Sequence, residues 1–402
     1  MSYGLLTQET VPPAVLEVIK GLQAGGFRAF LVGGCVRDML REQPPKDFDV
    51  ASSALPGDVQ KLFKKVIPTG IEHGTVTVVL RGEHVEVTTF RAEADYVDGR
   101  RPSKVEFHED IEADLGRRDF TMNAIAWDPI SGQKVDPFGG ELDLNRHLVR
   151  CVRDAIERFS EDGLRPLRAV RFATVLDFTL EPATEAAIPK TLAVFRKVAQ
   201  ERVHQEFVKL LVAPSATRGL QLLASTGLFA EFLPEAAPGE FEAVGRAPRD
   251  EVIRMALLLL GQKQPREAML RLKFPNKIAE DTAALVLRST LPPMTATDAE
   301  LRRWLAKLEA SRAAPLVALH QARGSLPEGL RARVEAILAT NPPLTTRQLA
   351  LDGKAIMAAL GTGPSPAIGH ATRHLLELVL DDPSRNTPEG LLTALKGGSA
   401  PA

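Results

Sequence analysis

The chain has almost no cysteine: Cys35 and Cys151 are the only two in 402 residues. That excludes a disulfide scaffold and a cysteine-based zinc finger, predicts no disulfide-linked partner, and suits a reduced cytosol. Two isolated thiols are most simply small buried hydrophobes. An excess of one charge is missing too. With 50 Lys and Arg against 51 Asp and Glu the net charge is −1, so any nucleic-acid partner must be held by local arginine clusters. No apolar stretch is long enough to span a bilayer, and the N-terminus lacks a basic segment followed by an apolar one. We expect a cytoplasmic protein with no membrane partner. A repeat of fixed period and a long low-complexity tract are also absent.

What is present is an ordinary globular composition, 44% hydrophobic and 25% charged. A length of 402 residues predicts two to four domains. The first ~150 residues alternate helical and strand patterns, as in an α/β or α+β domain. The patterns predict helices over 14–25, 34–41 and 56–65, and strands over 28–33 and 47–51. Two β-rich runs, 74–80 and 84–90, are joined by Arg81-Gly82-Glu83 as a hairpin turn. A polar loop covers 93–102. From about residue 152 the strand signal fades, and helical patterns are broken by proline-rich segments at 234–250, 289–298 and 340–348. The last residues, 396–402, are expected to be disordered.

The stretch LVGGCVRDMLREQPPKDFDV, residues 31–50, is the most informative about chemistry. Strand periodicity places Asp47 and Asp49 on one face, with Phe48 and Val50 pointing into the core. Neighbouring carboxylates repel unless a cation lies between them. The pair on its own is also the pattern of solvated loop or capping residues. The preceding Gly33-Gly34 turn, which exposes backbone N–H groups at a helix start, favours a magnesium–nucleotide site with Asp47 and Asp49 holding two Mg²⁺ ions. Arg37, one turn along, meets phosphate oxygens. Cys35, Val36 and Asp38 are packing or local capping residues. Glu86, opposite in facing to Val85 and Val87 on a neighbouring strand, is the candidate third carboxylate; a solvent-exposed glutamate is the alternative.

Arg117-Arg118-Asp119-Phe120-Thr121-Met122-Asn123 is a second cluster. Adjacent arginines often divide into a solvated charge and an ion-pair partner. Here Arg118 is the candidate for the triphosphate or sugar, ordered by Asp119 and Asn123. In the third cluster Asp162, Arg165, Arg168 and Arg171 recur every three residues along one side of a helix. A solvated basic face is one reading, and a polyanion as counter-charge the other. An aspartate that accepts beside an arginine that donates matches the Watson–Crick edges of both cytosine and adenine, and opposes those of uracil and guanine.

Together these motifs resemble the class II tRNA nucleotidyltransferases, the CCA-adding enzymes, whose relatives are bacterial poly(A) polymerases. The resemblance rests on LVGGCVRDMLR with KDFDVA, RRDFTMNAIA, DPFGG at 136–140, EDGLRPLRAVRFA and ERVHQEFVKLL at 201–211, in that order over about the first half of the chain. It implies an α+β fold: a polymerase-β-like head (1–150), then helical neck (151–215), body (216–300) and tail (301–402) in a curved arrangement. It implies that Asp47 and Asp49 bind magnesium, and that Gly34, Arg37 and Arg118 hold the nucleotide's sugar and phosphates. Asp162 and Arg165 then act as a protein template for C or A, with Arg168 and Arg171 beside them. Arg202 and Glu206 are expected to form an i,i+4 pair. The partners implied are tRNA, CTP and ATP, with A-only or poly(A) addition as the alternative activity. The loop at 93–102 argues against a CC-only variant. Residues 69–75 lack the basic segment of poly(A) polymerases, and none of the eight histidines precedes an aspartate, so no appended phosphohydrolase is expected.

Overall fold

The structure, a computed structural model, describes residues 6–91 and 110–397. It divides into two compact units, one ending at Pro234 and the other beginning at Glu235, the start of the first proline-rich break. The predicted loop at 93–102 lies outside the described residues.

The first unit opens with helix α1 (Pro13–Ala24), whose Pro13 sets φ for the first turn. Its Val15, Val18, Ile19 and Leu22 form a buried stripe at helical spacing. Then come β1 (Ala29–Val32), α2 (Gly34–Leu40), β2 (Asp49–Ser52), α3 (Pro56–Leu62), β3 (Val66–Gly70), β4 (Thr75–Leu80) and β5 (Glu83–Thr89). After α4 (Ile111–Gly116) follow β6 (Ala126–Trp127), β7 (Lys134–Val135), α5 (Gly140–Asn145) and β8 (Leu148–Val149).

Seven strands make one mixed sheet in the order β3-β4-β5-β2-β1-β6-β7. Strand β1 is antiparallel to β2 and β6, whereas β2 is parallel to β5. All four residues of β1 are buried, because the sheet is covered on both faces. Helix α1 packs on β1, β2, β4 and β5. Phe30, Val32, Ala51 and Phe90 join Ile111 and Leu115 of α4 in a core cluster. The β4–β5 turn has positive φ at both Arg81 (54°) and Gly82 (84°), the conformation that matches the twist of a two-residue hairpin.

A helical stretch completes this unit. It comprises α6 (Ala155–Glu161), α7 (Arg165–Leu176), α8 (Pro182–Ala187), α9 (Leu192–Phe195), α10 (Gln200–Leu211), α11 (Ala216–Ser225) and α12 (Leu228–Phe232). Helix α7 packs on α10 and α11. The second unit is helical throughout its described residues, from Phe241–Arg246 to Pro388–Gly397. One of its cores gathers Leu349, Leu351, Ile356, Leu375, Val379 and Leu391.

The fold is thus an α+β head followed by helices, as expected. Local differences have local causes. The strand expected at 47–51 begins at Asp49, so Asp47 lies in its lead-in and Phe48 is half-buried rather than core. The helix expected to reach residue 65 stops at Leu62, since Phe63 is already extended and β-branched Val66 and Ile67 start β3. That strand was not foreseen; Pro68 is tolerated because β3 is the sheet edge. In a short parallel pairing with β8, β9 (Thr179–Leu180) lies past residue 152, where the strand signal fades. The terminal helix includes Lys396 and Gly397, which were expected to be disordered.

Candidate active site

The glycine turn is built as its sequence demands. Gly33 N-caps α2 at φ 75°, ψ −130°, a conformation open to a residue without a Cβ. A Cβ at Gly33 would come within 2.9 Å of Arg118 Nη1, so the guanidinium lies directly over this turn. At Gly34 the nearest group is Arg37 Nη2, 3.6 Å from where a Cβ would be. Two arginines from distant points of the chain thus flank the start of α2.

The acids lie alongside. Asp49 opens β2 and is the register partner of Glu86 on parallel strand β5. Val85 and Val87 are buried while Glu86 is exposed, as the alternation requires. Among the described residues, none of the carboxylates of Asp47, Asp49 and Glu86 has a hydrogen-bond or ion-pair partner. Desolvation raises the Asp49 carboxyl above its ordinary value; Arg118 opposes the shift and Asp47 adds to it. Asp49 therefore feels the charge of both Arg118 and Asp47. Burial pushes the nearby Cys35 thiol up to about 11, which leaves it a neutral packing group.

No three His, Cys, Asp or Glu side chains among the described residues are grouped closely enough to enclose a metal ion. Asp47 and Asp49 are instead an open pair of hard oxygen donors. That fits magnesium, which commonly takes one or two carboxylates and completes its shell with water and substrate phosphate.

Each arginine is aimed by a carboxylate. Asp114, fully buried on α4, accepts from Arg117 Nη2 at 2.6 Å and Arg118 Nη2 at 3.0 Å, and from the Arg91 amide at 3.3 Å. Burial alone would raise the Asp114 carboxyl, but Arg118 and Arg117 hold it below its ordinary value. Asp119 and Asn123 do not order Arg118, contrary to expectation. Asn123 accepts from Arg37 Nη1 (2.8 Å) and donates to Asp119 (3.0 Å), and Asp119 grips Arg168 at 2.7 Å. Asp38, expected to be a packing or capping residue, chelates Arg37 through two bonds of 2.9 Å. Burial would raise Asp119 as well, yet Arg168 and the Asn123 hydrogen bond bring it down to about 2.

The neck arginines find internal counter-charges. Arg171 binds Glu206 at 2.8 Å, and Arg168 reaches the same carboxylate at 3.7 Å. Glu206 therefore does not pair with Arg202, whose Nη2 instead donates to Asp162 at 2.8 Å. Asp162 lies in the turn before α7 rather than on it, and also accepts from the Leu164 amide at 3.0 Å. Asp162 and Arg165 do not pair with each other. Arg165 is 8% exposed and donates to Glu161 (2.7 Å) and to the carbonyls of Arg158 and Arg117, both at 2.9 Å. The Arg117 carbonyl joins α7 to the Arg117–Arg118 segment of the head.

Three residues carry more of this arrangement than their sequence suggested: Asp114, Glu206 and Phe172. Asp114 had a legible signal, lying three and four positions before Arg117 and Arg118, the spacing of helical ion pairs.

Residues 29–150 match the poly A polymerase head domain family, and residues 177–239 match the family described as a probable RNA and SrmB-binding site of polymerase A. The CCA-adding enzyme of Geobacillus stearothermophilus is 38% identical over 93% of this chain and 94% of its own. This chain belongs to the CCA-adding enzyme family. The crystal structure of the Bacillus stearothermophilus family member in complex with CTP superposes with a TM-score of 0.83 at 34% identity, covering 96% of this chain and 98% of that one. A Thermotoga maritima member complexed with tRNA shares the fold at 19% identity, with a TM-score of 0.70 over 97% of this chain and 96% of its own. Enzymes of this family are metal-dependent nucleotidyltransferases. No helix among the described residues is long and apolar enough to cross a membrane.

Proposed function

We infer that this chain adds C, C and A in turn to the 3′ end of tRNA, using CTP and ATP and releasing pyrophosphate, without a nucleic-acid template. The observation that carries this reading is the pair Asp47 and Asp49, whose carboxylates have no partner among the described residues, with Asp49 within reach of the charge of Arg118 where it overhangs the Gly33 turn. A carboxylate pair left open beside converging cations suits a triphosphate bound with its counter-ion.

In this proposal Asp47 and Asp49 hold Mg²⁺, with Glu86 as the third acid beside Asp49. Bound there, the metal supplies charge neutralisation for the triphosphate and acidifies the attacking hydroxyl. Arg118 and Arg37 bind phosphate and sugar oxygens beside the amides of Gly33 and Gly34. The tRNA 3′-oxygen attacks the α-phosphorus in line. The O3′–P bond forms as the bridging P–O bond breaks, its electrons leave with pyrophosphate, and the hydroxyl proton departs toward the acidic side of the site.

Asp162 and Arg165 remain the proposed readers of the base, with Arg168 and Arg171 alongside. A carboxylate has about four acceptor positions, so Asp162 keeps capacity for a base amine while bonded to Arg202 and Leu164. Arg165 commits three of its N–H groups internally, and its reading role falls to the remainder. The proposed division is head 1–150, neck 151–215, body 216–300 and tail 301–402, with the tail on tRNA, in the cytoplasm. Purified protein incubated with tRNA transcripts lacking CCA, ending in CC, or carrying an unrelated 3′ tail tests the reading by product length. Addition of C, C and A and no more supports it; A-only products or long A tails would replace it with the alternative activity.

A further inference from the structure

Three guanidinium groups converge on one aromatic ring. Phe172 of α7 is 4% exposed, and the guanidinium carbons of Arg37, Arg168 and Arg171 lie 5.3, 5.3 and 3.4 Å from its ring centroid. All are within the range at which a cation is attracted to an aromatic face. The ring is held in turn by Phe120, whose centroid is 5.6 Å away in an edge-on arrangement of 78°. Arg37 belongs to the glycine-turn helix of the head, whereas Arg168 and Arg171 belong to α7, the second helix of the neck. Phe172 is where the two sets of cations meet.

Carboxylates alone do not explain the geometry. Asp38 and Asn123 tie down Arg37, Asp119 ties down Arg168, and Glu206 ties down Arg171 while also reaching Arg168. Such bonds fix where a guanidinium's donors point, and Asn123 links Arg37 through Asp119 to Arg168, but they do not set the face that each guanidinium presents. The ring supplies a shared reference, because a planar guanidinium against an aromatic surface loses freedom to tilt.

We propose that Phe172 is a positioning residue that sets the spacing of Arg37 relative to Arg168 and Arg171, and so couples phosphate binding to base discrimination. The proposal rests on the reading of the site given above. Removing the ring leaves the head and neck arginines joined only through Asn123 and Asp119, a looser link. Nucleotide binding then weakens, and the preference for C and A over U and G falls.

The test uses the full chain with two kinds of change. Phe172→Leu removes the aromatic surface while keeping an apolar side chain. Incorporation of singly, doubly and triply fluorinated phenylalanine at position 172 keeps the ring's shape and progressively cancels its attraction for cations. CTP affinity is measured by calorimetry without tRNA, incorporation of each of the four nucleotides is measured on tRNA lacking CCA, and melting temperature is followed throughout. We expect Phe172→Leu to weaken CTP binding about ten-fold and lower discrimination against UTP about ten-fold. The fluorinated series should weaken CTP binding stepwise at constant melting temperature. A flat fluorinated series overturns the proposal, whether Phe172→Leu is folded or not, because Phe172 is then only core packing. A graded series supports it even if Phe172→Leu fails to fold. Failure of the unmodified protein to extend any tRNA would instead overturn the reading of the activity, while the CTP titration would still judge the role of Phe172.

Discussion

Alanine at Gly33 should cost stability, and alanine at Gly34, one residue along, should not. At Gly33 a Cβ has two costs. The backbone at φ 75°, ψ −130° is one an L-residue adopts only under strain, on the order of 1–3 kcal/mol. The new methyl also arrives 2.9 Å from Arg118 Nη1, and that guanidinium is tethered through Nη2 to buried Asp114 at 3.0 Å. Arg118 must swing away from the turn or stretch that bond. For a unit of this size each kcal/mol corresponds to roughly 2–4 °C in melting temperature. Gly33→Ala should therefore melt lower by about 3–10 °C and bind CTP more weakly. At Gly34 the backbone φ is not positive and the nearest contact is an ordinary 3.6 Å. Gly34→Ala should leave stability unchanged or raise it by about 0.4–1 kcal/mol, so any loss in nucleotide affinity there reports the nucleotide's approach and not the fold. Calorimetric melting with CTP titration on both variants checks this. Equal melting temperatures for Gly33→Ala and the unmodified protein, with equal CTP affinity, would refute the reasoning about the turn.

The remaining predictions bear on the acids. Asp49→Ala should abolish incorporation while tRNA binding, measured by filter retention, persists; residual extension near the unmodified rate would remove Asp49 from the chemistry. Asp162→Ala should admit UTP or GTP relative to CTP and ATP, and Arg202→Ala should do the same more weakly, because Arg202 steadies the Asp162 carboxylate at 2.8 Å. Unchanged selectivity in both would sink the protein-template idea. Asp119 is held down to about 2 in the folded chain, below its ordinary value. Its stabilisation, on the order of 2 kcal/mol, is fully present above about pH 4 and lost as pH falls through about 2. Urea midpoints between pH 5 and pH 2 should therefore fall more steeply for the unmodified protein than for Asp119→Asn, and parallel slopes would contradict the assignment.

Much of the site was legible because its residues are close in sequence or obey simple periods. Gly33-Gly34 before an amphipathic helix, acids alternating with apolar residues at 47–50, and arginines every third position at 165–171 are local patterns. Glu86 was placed beside Asp49 by facing alone, and their pairing in register is what parallel β2 and β5 supply. Partner choice was not legible. Spacing suggested Arg202 with Glu206, and it gave no internal partners for Asp162 and Arg165. Yet Arg202 binds Asp162, Glu206 binds Arg171 and Arg168, and Arg165 turns to Glu161 and backbone carbonyls. An ion pair goes to whichever opposite charge the packing of α7 on α10 brings within reach, and sequence separation carries little of that information.

The amino-acid order by itself determined the α+β head followed by helices, the glycine turn, and which acids and arginines are candidates for the chemistry, because those follow from periodicity and side-chain type. Only the tertiary structure decided that Arg118 overhangs Gly33, that Asp114 and Asp119 aim different arginines, and that one phenylalanine gathers three guanidinium groups from head and neck. The physical reason is range. Turn and strand preferences act over a few residues, whereas a buried charge must be answered by an opposite charge within about 4 Å, which folding can draw from a segment anywhere in the chain.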